Sequence, residues 1–125
     1  MVIGVGTDLM EIARIAQSID RFGERFLERV FTAREIAYCR RKKNAAESFA
    51  ARFAAKEAAA KALGTGISRG IGWLELEVAR EPGGRPTLEL TGRAAERARE
   101  LGVARVSLSL THSRESALAV VVMED

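Results

Sequence analysis

Phe49, Phe53, Glu57 and Lys61 stand at successive i, i+4 steps, so a helix through this segment carries all four on one stripe. The two phenylalanines want burial. The stripe therefore delivers Glu57 and Lys61 to the edge of the core rather than to its outer face. There the pair could act on a phosphorylated ligand. On a plain surface helix the same spacing is an ordinary ion pair that contributes about 0.2–0.5 kcal/mol. Asp8 ends a short, glycine-punctuated strand at a sheet edge, where a polar group can face a cleft. A strand carboxylate and a helix carboxylate, offering oxygen alone, suit Mg²⁺. That ion takes one or two protein carboxylates and fills its shell with water and phosphate oxygens. A capping Asp8, or a merely solvated one, is the plainer alternative.

The other reactive groups exclude several chemistries. Gly4-x-Gly6 lacks the third glycine of a dinucleotide fingerprint, because position 9 is Leu, and no βαβ unit follows. Gly64-Thr65-Gly66 lacks the Lys-Ser/Thr tail of a P-loop, although such a loop can still offer backbone N–H groups to phosphate. Ser107, Ser109 and Ser113 near His112 form no nucleophile elbow. A lone turn histidine such as His112 is commonly structural or exposed. Cys39 shares a helix with Ile36 and is expected to be packed. A single cysteine allows neither an internal disulfide nor a cysteine-built zinc site, and it suits a reducing cytosol.

These residues need elements to position them. Residues 2–8 read as a strand. Ile12, Ile15, Ala16, Ile19, Phe22 and Phe26 recur at helical spacing, with Arg14, Arg21 and Arg25 on another face. Thr32 and Glu35 have the capping-box form, so a helix runs from there to about Arg41. Lys42-Lys43-Asn44 breaks the chain before a long alanine-rich helix, Ala45 to Leu63, closed by Gly64. Alternation over residues 73–78 predicts a strand. Pro82-Gly83-Gly84 predicts a turn, and Thr87 to Leu90 the returning strand. Residues 93–101 form a short helix ended by Gly102. Strands Val106–Thr111 and Ala117–Met123 follow, joined by a turn at residues 112–115. The expected order is β-ααα-ββ-α-ββ. It is an α+β fold with a mostly antiparallel sheet and helices packed on one face.

Composition sets the outer bounds. With 125 residues, 47% hydrophobic and 30% charged, the chain is expected to be one domain spanning 1–125 that needs no disulfide staples. No apolar run approaches the ~18 residues of a membrane span, and no basic region precedes Val2–Asp8 as in a signal peptide. The net charge is +3, and residues 14–43 hold nine basic against four acidic side chains. This basic third predicts an anionic partner: an acidic protein, nucleic acid or a phosphorylated small molecule. A solvated, salt-bridged helix face explains it equally well.

Three stretches resemble the small, single-domain holo-[acyl-carrier-protein] synthases of the 4′-phosphopantetheinyl transferase superfamily. They are Ile3-Gly4-Val5-Gly6-Thr7-Asp8-Leu9 with Glu11-Ile12 and Arg14-Ile15, Arg52-Phe53-Ala54-Ala55-Lys56-Glu57-Ala58-Ala59-Ala60-Lys61-Ala62-Leu63-Gly64-Thr65-Gly66-Ile67, and Ser109-Leu110-Thr111-His112-Ser113 before an apolar strand. The hairpin Gly83-Gly84-Arg85-Pro86 matches a further Gly-x-Pro position. Thr111 and Ser113 stand where close relatives often carry Ser and Thr.

The resemblance implies transfer of the 4′-phosphopantetheine arm of coenzyme A to a serine of an apo-acyl carrier protein, with Mg²⁺ and release of adenosine 3′,5′-bisphosphate. It implies Asp8 and Glu57 as metal ligands, Glu57 or a metal-bound water as base, and Lys61 at the leaving phosphate. Arg52, Lys56, Lys61, Gly64, Thr65, Gly66, Pro86, Thr111, His112 and Ser113 would line the coenzyme A site. Arg14, Arg21 and Arg25 would meet the acidic carrier protein, with Phe22 and Phe26 as the apolar centre of that contact. A cytoplasmic homotrimer with sites between subunits is implied, with neither nucleic acid nor membrane as partner. The alternatives are a non-catalytic interaction module and a small nucleic-acid-binding domain using the basic 14–43 stretch. Interleaved acids and the lack of an aromatic stacking strand count against nucleic acid.

Overall fold

Strand β1 (Val2–Glu11) is followed by four helices, α1 (Ile12–Phe22), α2 (Glu24–Val30), α3 (Ala33–Arg40) and α4 (Ala45–Ala62). A 3₁₀ turn (Trp73–Glu75) then leads into the hairpin β2 (Leu76–Arg80) and β3 (Pro86–Leu90). Helix α5 (Gly92–Leu101), β4 (Arg105–His112) and β5 (Ser116–Glu124) complete the chain. This computed structural model describes all residues, 1–125. The α+β class is as expected, and every strand pairing is antiparallel. The strands form two sheets, one ordered β1-β5-β4 and the other the β2-β3 hairpin.

Three expectations need correction. The helix expected across residues 12–26 breaks at Gly23, whose φ of 57° and ψ of −134° are open to glycine and strained for other residues. Apolar spacing runs on through the break, which hides it from a periodicity argument. The turn lets Leu27 and Val30 join Phe31, Ile36 and Phe49 in one buried cluster. The order is thus β-αααα-ββ-α-ββ. Second, β1 continues three residues past Asp8 to Glu11, and Glu11 rather than Asp8 stands at the N-cap of α1. The capping alternative for Asp8 is gone. Third, residues 73–75 are a 3₁₀ turn rather than strand, and Leu74 is left exposed.

Helix α4 is the spine. Ala54, Ala55, Ala58, Ala59, Ala60 and Ala62 are buried along it. These small side chains let β1 approach closely, and Gly4 and Gly6 allow closer approach still. A Cβ built on Gly6 would lie 1.8 Å from the Ala58 carbonyl oxygen, and one on Gly4 2.2 Å from that of Ala62. Strand side chains alternate faces, so Asp8 shares the helix-facing side with these glycines. Val5, Thr7 and Leu9 point the other way. They pair with Val122, Val120 and Leu118 on β5, which in turn pair with Ser107, Ser109 and Thr111 on β4. Val5 and Leu9 are exposed on this outer face. No helix is long and apolar enough to cross a membrane.

Candidate active site

The stripe on α4 behaves as its spacing predicts. Phe49 is buried, Phe53 is half-buried against the Trp73 ring at 4.8 Å, Glu57 is half-buried and Lys61 is exposed. Strand β1 brings Asp8 to the last two. Lys61 Nζ donates to Asp8 Oδ1 at 3.2 Å and to the Thr7 carbonyl at 3.0 Å. Asp8 Oδ2 is buried and has no hydrogen-bond partner. Burial and then the charge of Asp8 push the Glu57 carboxyl above its ordinary value, against the pull of Lys61. Two acids and one lysine therefore converge from β1 and α4. No third carboxylate, histidine or cysteine joins them.

The like-charge contact has a measurable sign. In chelator-treated solution, ¹³C NMR of the Glu57 carboxyl should show a midpoint above 4.5, the ordinary value. Asp8→Asn removes the repulsion and should move that midpoint down. An unmoved or higher midpoint would show that Asp8 does not act on Glu57.

A second centre lies where α3, α4, the hairpin and the end of β4 meet. It is a cleft of about 530 Å³ whose lining includes Tyr38, Lys42, Arg52, Arg80, Thr111 and His112. Arg52 is buried, lies 4.1 Å from the Tyr38 ring centre, and keeps a buried Nε without a partner. Burial alone would raise the Tyr38 phenol. The nearby Lys42 ammonium, 4.6 Å from the ring centre, with the charges of Arg80 and Arg52, brings it below its usual value instead. So positive a wall is built to receive an anion. His112 Nε2 lies 3.2 Å from Glu47 Oε1 at the edge of this cleft. Tyr38, Lys42 and Arg80 escaped the sequence reading. Their convergence is tertiary, and only the lysine-rich break at 42–43 hinted at it.

Not every residue singled out from the sequence joins the two centres. Lys56 is fully buried. Its ammonium pairs with Glu35 at 2.8 Å and donates to the Trp73 and Leu76 carbonyls at 3.0 and 2.9 Å. It is closed off from a ligand. The Thr65 and Gly66 amides both turn back to the Ala60 carbonyl, and that of Gly64 to Lys61. The 64–66 loop therefore caps α4 and has no free amides for a phosphate. Pro86 opens β3 outside the basic cleft, whose hairpin contribution comes from Gly84 and Arg80. Ser113 organises its turn, its Oγ accepting from the Ser116 and Glu115 amides. Cys39 is buried as expected, its thiol pushed up to about 11 mainly by burial.

Arg14, Arg21 and Arg25 are all exposed. Arg21 lies over the Phe22 ring, and Phe22 is 53% exposed. Phe22, Arg25, Phe26 and Arg29 line a cleft of about 330 Å³ at the α1–α2 turn.

Residues 4–121 match the model of the 4′-phosphopantetheinyl transferase superfamily. The holo-[acyl-carrier-protein] synthase of Koribacter versatilis is 56% identical over 125 residues, covering all of both chains. The crystal structure of the Neisseria meningitidis holo-[acyl-carrier-protein] synthase matches all of both chains with a TM-score of 0.90 and 35% identity. That of the Helicobacter pylori enzyme, solved in complex with coenzyme A, matches 96% of this chain and 99% of that one, with a TM-score of 0.85 and 34% identity. With two acids and a lysine on the spine helix and its partner strand, and with kinship over its whole length, this chain belongs to the holo-[acyl-carrier-protein] synthases of the 4′-phosphopantetheinyl transferase superfamily.

Proposed function

We propose that the chain transfers the 4′-phosphopantetheine arm of coenzyme A to a serine hydroxyl of an apo-acyl carrier protein and releases adenosine 3′,5′-bisphosphate. The observation that carries this reading is the Asp8–Glu57–Lys61 cluster, with its unpartnered buried oxygen and its raised carboxyl. The donor set fits Mg²⁺: Asp8 and Glu57 offer hard oxygen ligands and leave the rest of the shell to water and substrate phosphate. When bound there, the ion would neutralise charge on the pyrophosphate.

The other roles belong to side chains of this chain. Glu57 takes the proton of the carrier serine. The serine oxygen bonds to the phosphorus that bears the pantetheine, and the bridging P–O bond breaks. The bridging oxygen leaves on adenosine 3′,5′-bisphosphate, and Lys61 offsets the charge it gains. The cleft around Tyr38 and Arg52 holds phosphate of the adenosine end, with His112 beside it. The exposed arginines of α1 and α2 receive the acidic carrier protein, and Phe22 and Phe26 supply the apolar centre of that contact. The buried thiol of Cys39 is consistent with action in the cytosol.

Within one chain the two centres face apart. Arg52 and Glu57 are five positions apart on α4, about 140° around the helix axis. None of Asp8, Glu57 and Lys61 lines the basic cleft. One coenzyme A is better served by the acids of one copy and the cleft of another. This supports the homotrimer implied by the family resemblance, as does the exposed apolar row on the outer sheet face. Light scattering should give the mass of three chains; a monomer would contradict it.

Lys42→Ala and Arg80→Ala should each raise KM for coenzyme A about tenfold, the effect of losing one phosphate contact of about 1.5 kcal/mol, with little change in kcat. Steady-state kinetics at varied coenzyme A checks this. The reaction as a whole is tested by chromatography of its small-molecule product. Adenosine 3′,5′-bisphosphate should form only with carrier protein present, stop on chelation, and resume with added Mg²⁺. Formation without carrier, or full rate in chelator, would contradict the reading.

A further inference from the structure

Lys56 and Glu35 form the only fully buried ion pair of the chain. The pair is closely satisfied. Glu35 Oε1 accepts from the Thr32 amide and from Lys56 at 2.8 Å each, and Oε2 accepts from the Val78 amide at 2.8 Å. The remaining bonds of Lys56 go to the Trp73 and Leu76 carbonyls. One ammonium thus ties α4 to the start of α3, the 3₁₀ turn and β2. None of these contacts involves β1.

The surroundings give this tie a purpose. Of the buried positions beside Lys56 on α4, Ala54, Ala55, Ala58, Ala59 and Ala60 are alanine, and Arg52, one turn earlier, is the exception. Methyl groups allow close approach but form shallow ridges, so they resist rotation and sliding of the helix less than larger side chains would. Directional bonds from a buried lysine oppose both. Glu57 is the next residue, on the same rigid turn, and the acid it must meet, Asp8, sits on β1. The separation of the two acids therefore depends on where α4 is anchored. We propose that the Lys56–Glu35 pair is a positioning device that sets Glu57 against Asp8, acting through the helix and without touching substrate. This rests on the reading of Asp8 and Glu57 as the reacting centre.

The test uses two variants of the full chain. Lys56→Met leaves Glu35 buried and unpaired, which destabilises the fold. Lys56→Met/Glu35→Gln removes both charges. Its carboxamide oxygen can accept from only one of the Thr32 and Val78 amides, so it should melt below wild type. It should still melt above Lys56→Met, which keeps an unpaired buried charge. Rates are read well below both melting temperatures. In the double variant kcat should still fall by about 10²-fold, because a misplacement near 1 Å has that effect, and KM for coenzyme A should change less, since Lys42 and Arg80 of the cleft stand on other elements. Its crystal structure should show the Glu57 carboxyl shifted from Asp8. A double variant with wild-type kcat, or with Glu57 unmoved, overturns the proposal and leaves the pair a stabilising element only. The two readings fail separately: a wild-type chain that transfers nothing, or an active Glu57→Gln, sinks the reacting centre, while the position of Glu57 is read from coordinates in either case.

Discussion

Glu57→Gln should lower kcat for phosphopantetheine transfer by about 10³-fold, the middle of the range for loss of a positioned general base. The carboxamide keeps the shape of the side chain but cannot take the serine proton, and it offers a neutral oxygen where an anionic one is needed. The loss should appear in kcat, with KM for coenzyme A little changed, since the basic cleft does not include Glu57. The stability effect should have the opposite sign. The Glu57 carboxyl is raised in the folded chain, by burial and by Asp8. Its stability contribution is therefore fully present below the unfolded value, 4.5, and is lost as pH rises through the folded one. At neutral pH the ionised group disfavours the folded state, so the glutamine variant should melt at or above the wild-type temperature. A rate loss below about tenfold would remove Glu57 as the base.

Gly6→Ala should be the most damaging single-methyl change in the protein. The added carbon would lie 1.8 Å from a helix carbonyl oxygen, and its next contacts are also α4 backbone, so no flexible side chain can yield. Either β1 lifts off α4 or the helix moves. The cost should reach about 3 kcal/mol, the upper part of the range for overpacking, and the thermal midpoint should fall by roughly 10–15 °C. Circular dichroism melts check this. A variant melting within about 2 °C of wild type would mean that β1 does not sit on α4 as described. Because Asp8 is two residues along on the same face, residual folded protein should also transfer poorly.

The close strand approach shows what a sequence can and cannot disclose. The Gly4-x-Gly6-x-Asp8 period is visible, and it puts all three residues on one face. That the face is helix backbone is visible only in the fold. The stripe from Phe49 to Lys61 was legible because helical periodicity and hydrophobicity act locally, and it led straight to Glu57. The Thr32–Glu35 box was legible for the same reason, and both of its reciprocal bonds are present. The second task of Glu35 was not legible, because its partner Lys56 lies in another helix. Lys56, a cation beside a functional acid, suggested a phosphate contact from sequence. Burial decides otherwise. The 64–66 loop was legible in part: its glycines signal turn geometry, but which acceptor its amides meet depends on how α4 ends. Tyr38, Arg52 and Arg80 come from three separate elements, so their joint cleft has no signature along the chain.

Transfer of a phosphopantetheine arm onto a carrier protein can be weighed. The measurement is intact-protein mass spectrometry of an apo-acyl carrier protein incubated with this chain, coenzyme A and Mg²⁺. A gain of one arm on the carrier's serine is expected with the wild-type chain, and an unmodified carrier with Asp8→Ala or Glu57→Ala over the same short incubation. An unmodified carrier with the wild-type chain would contradict the function, and equal modification by all three chains would contradict the site.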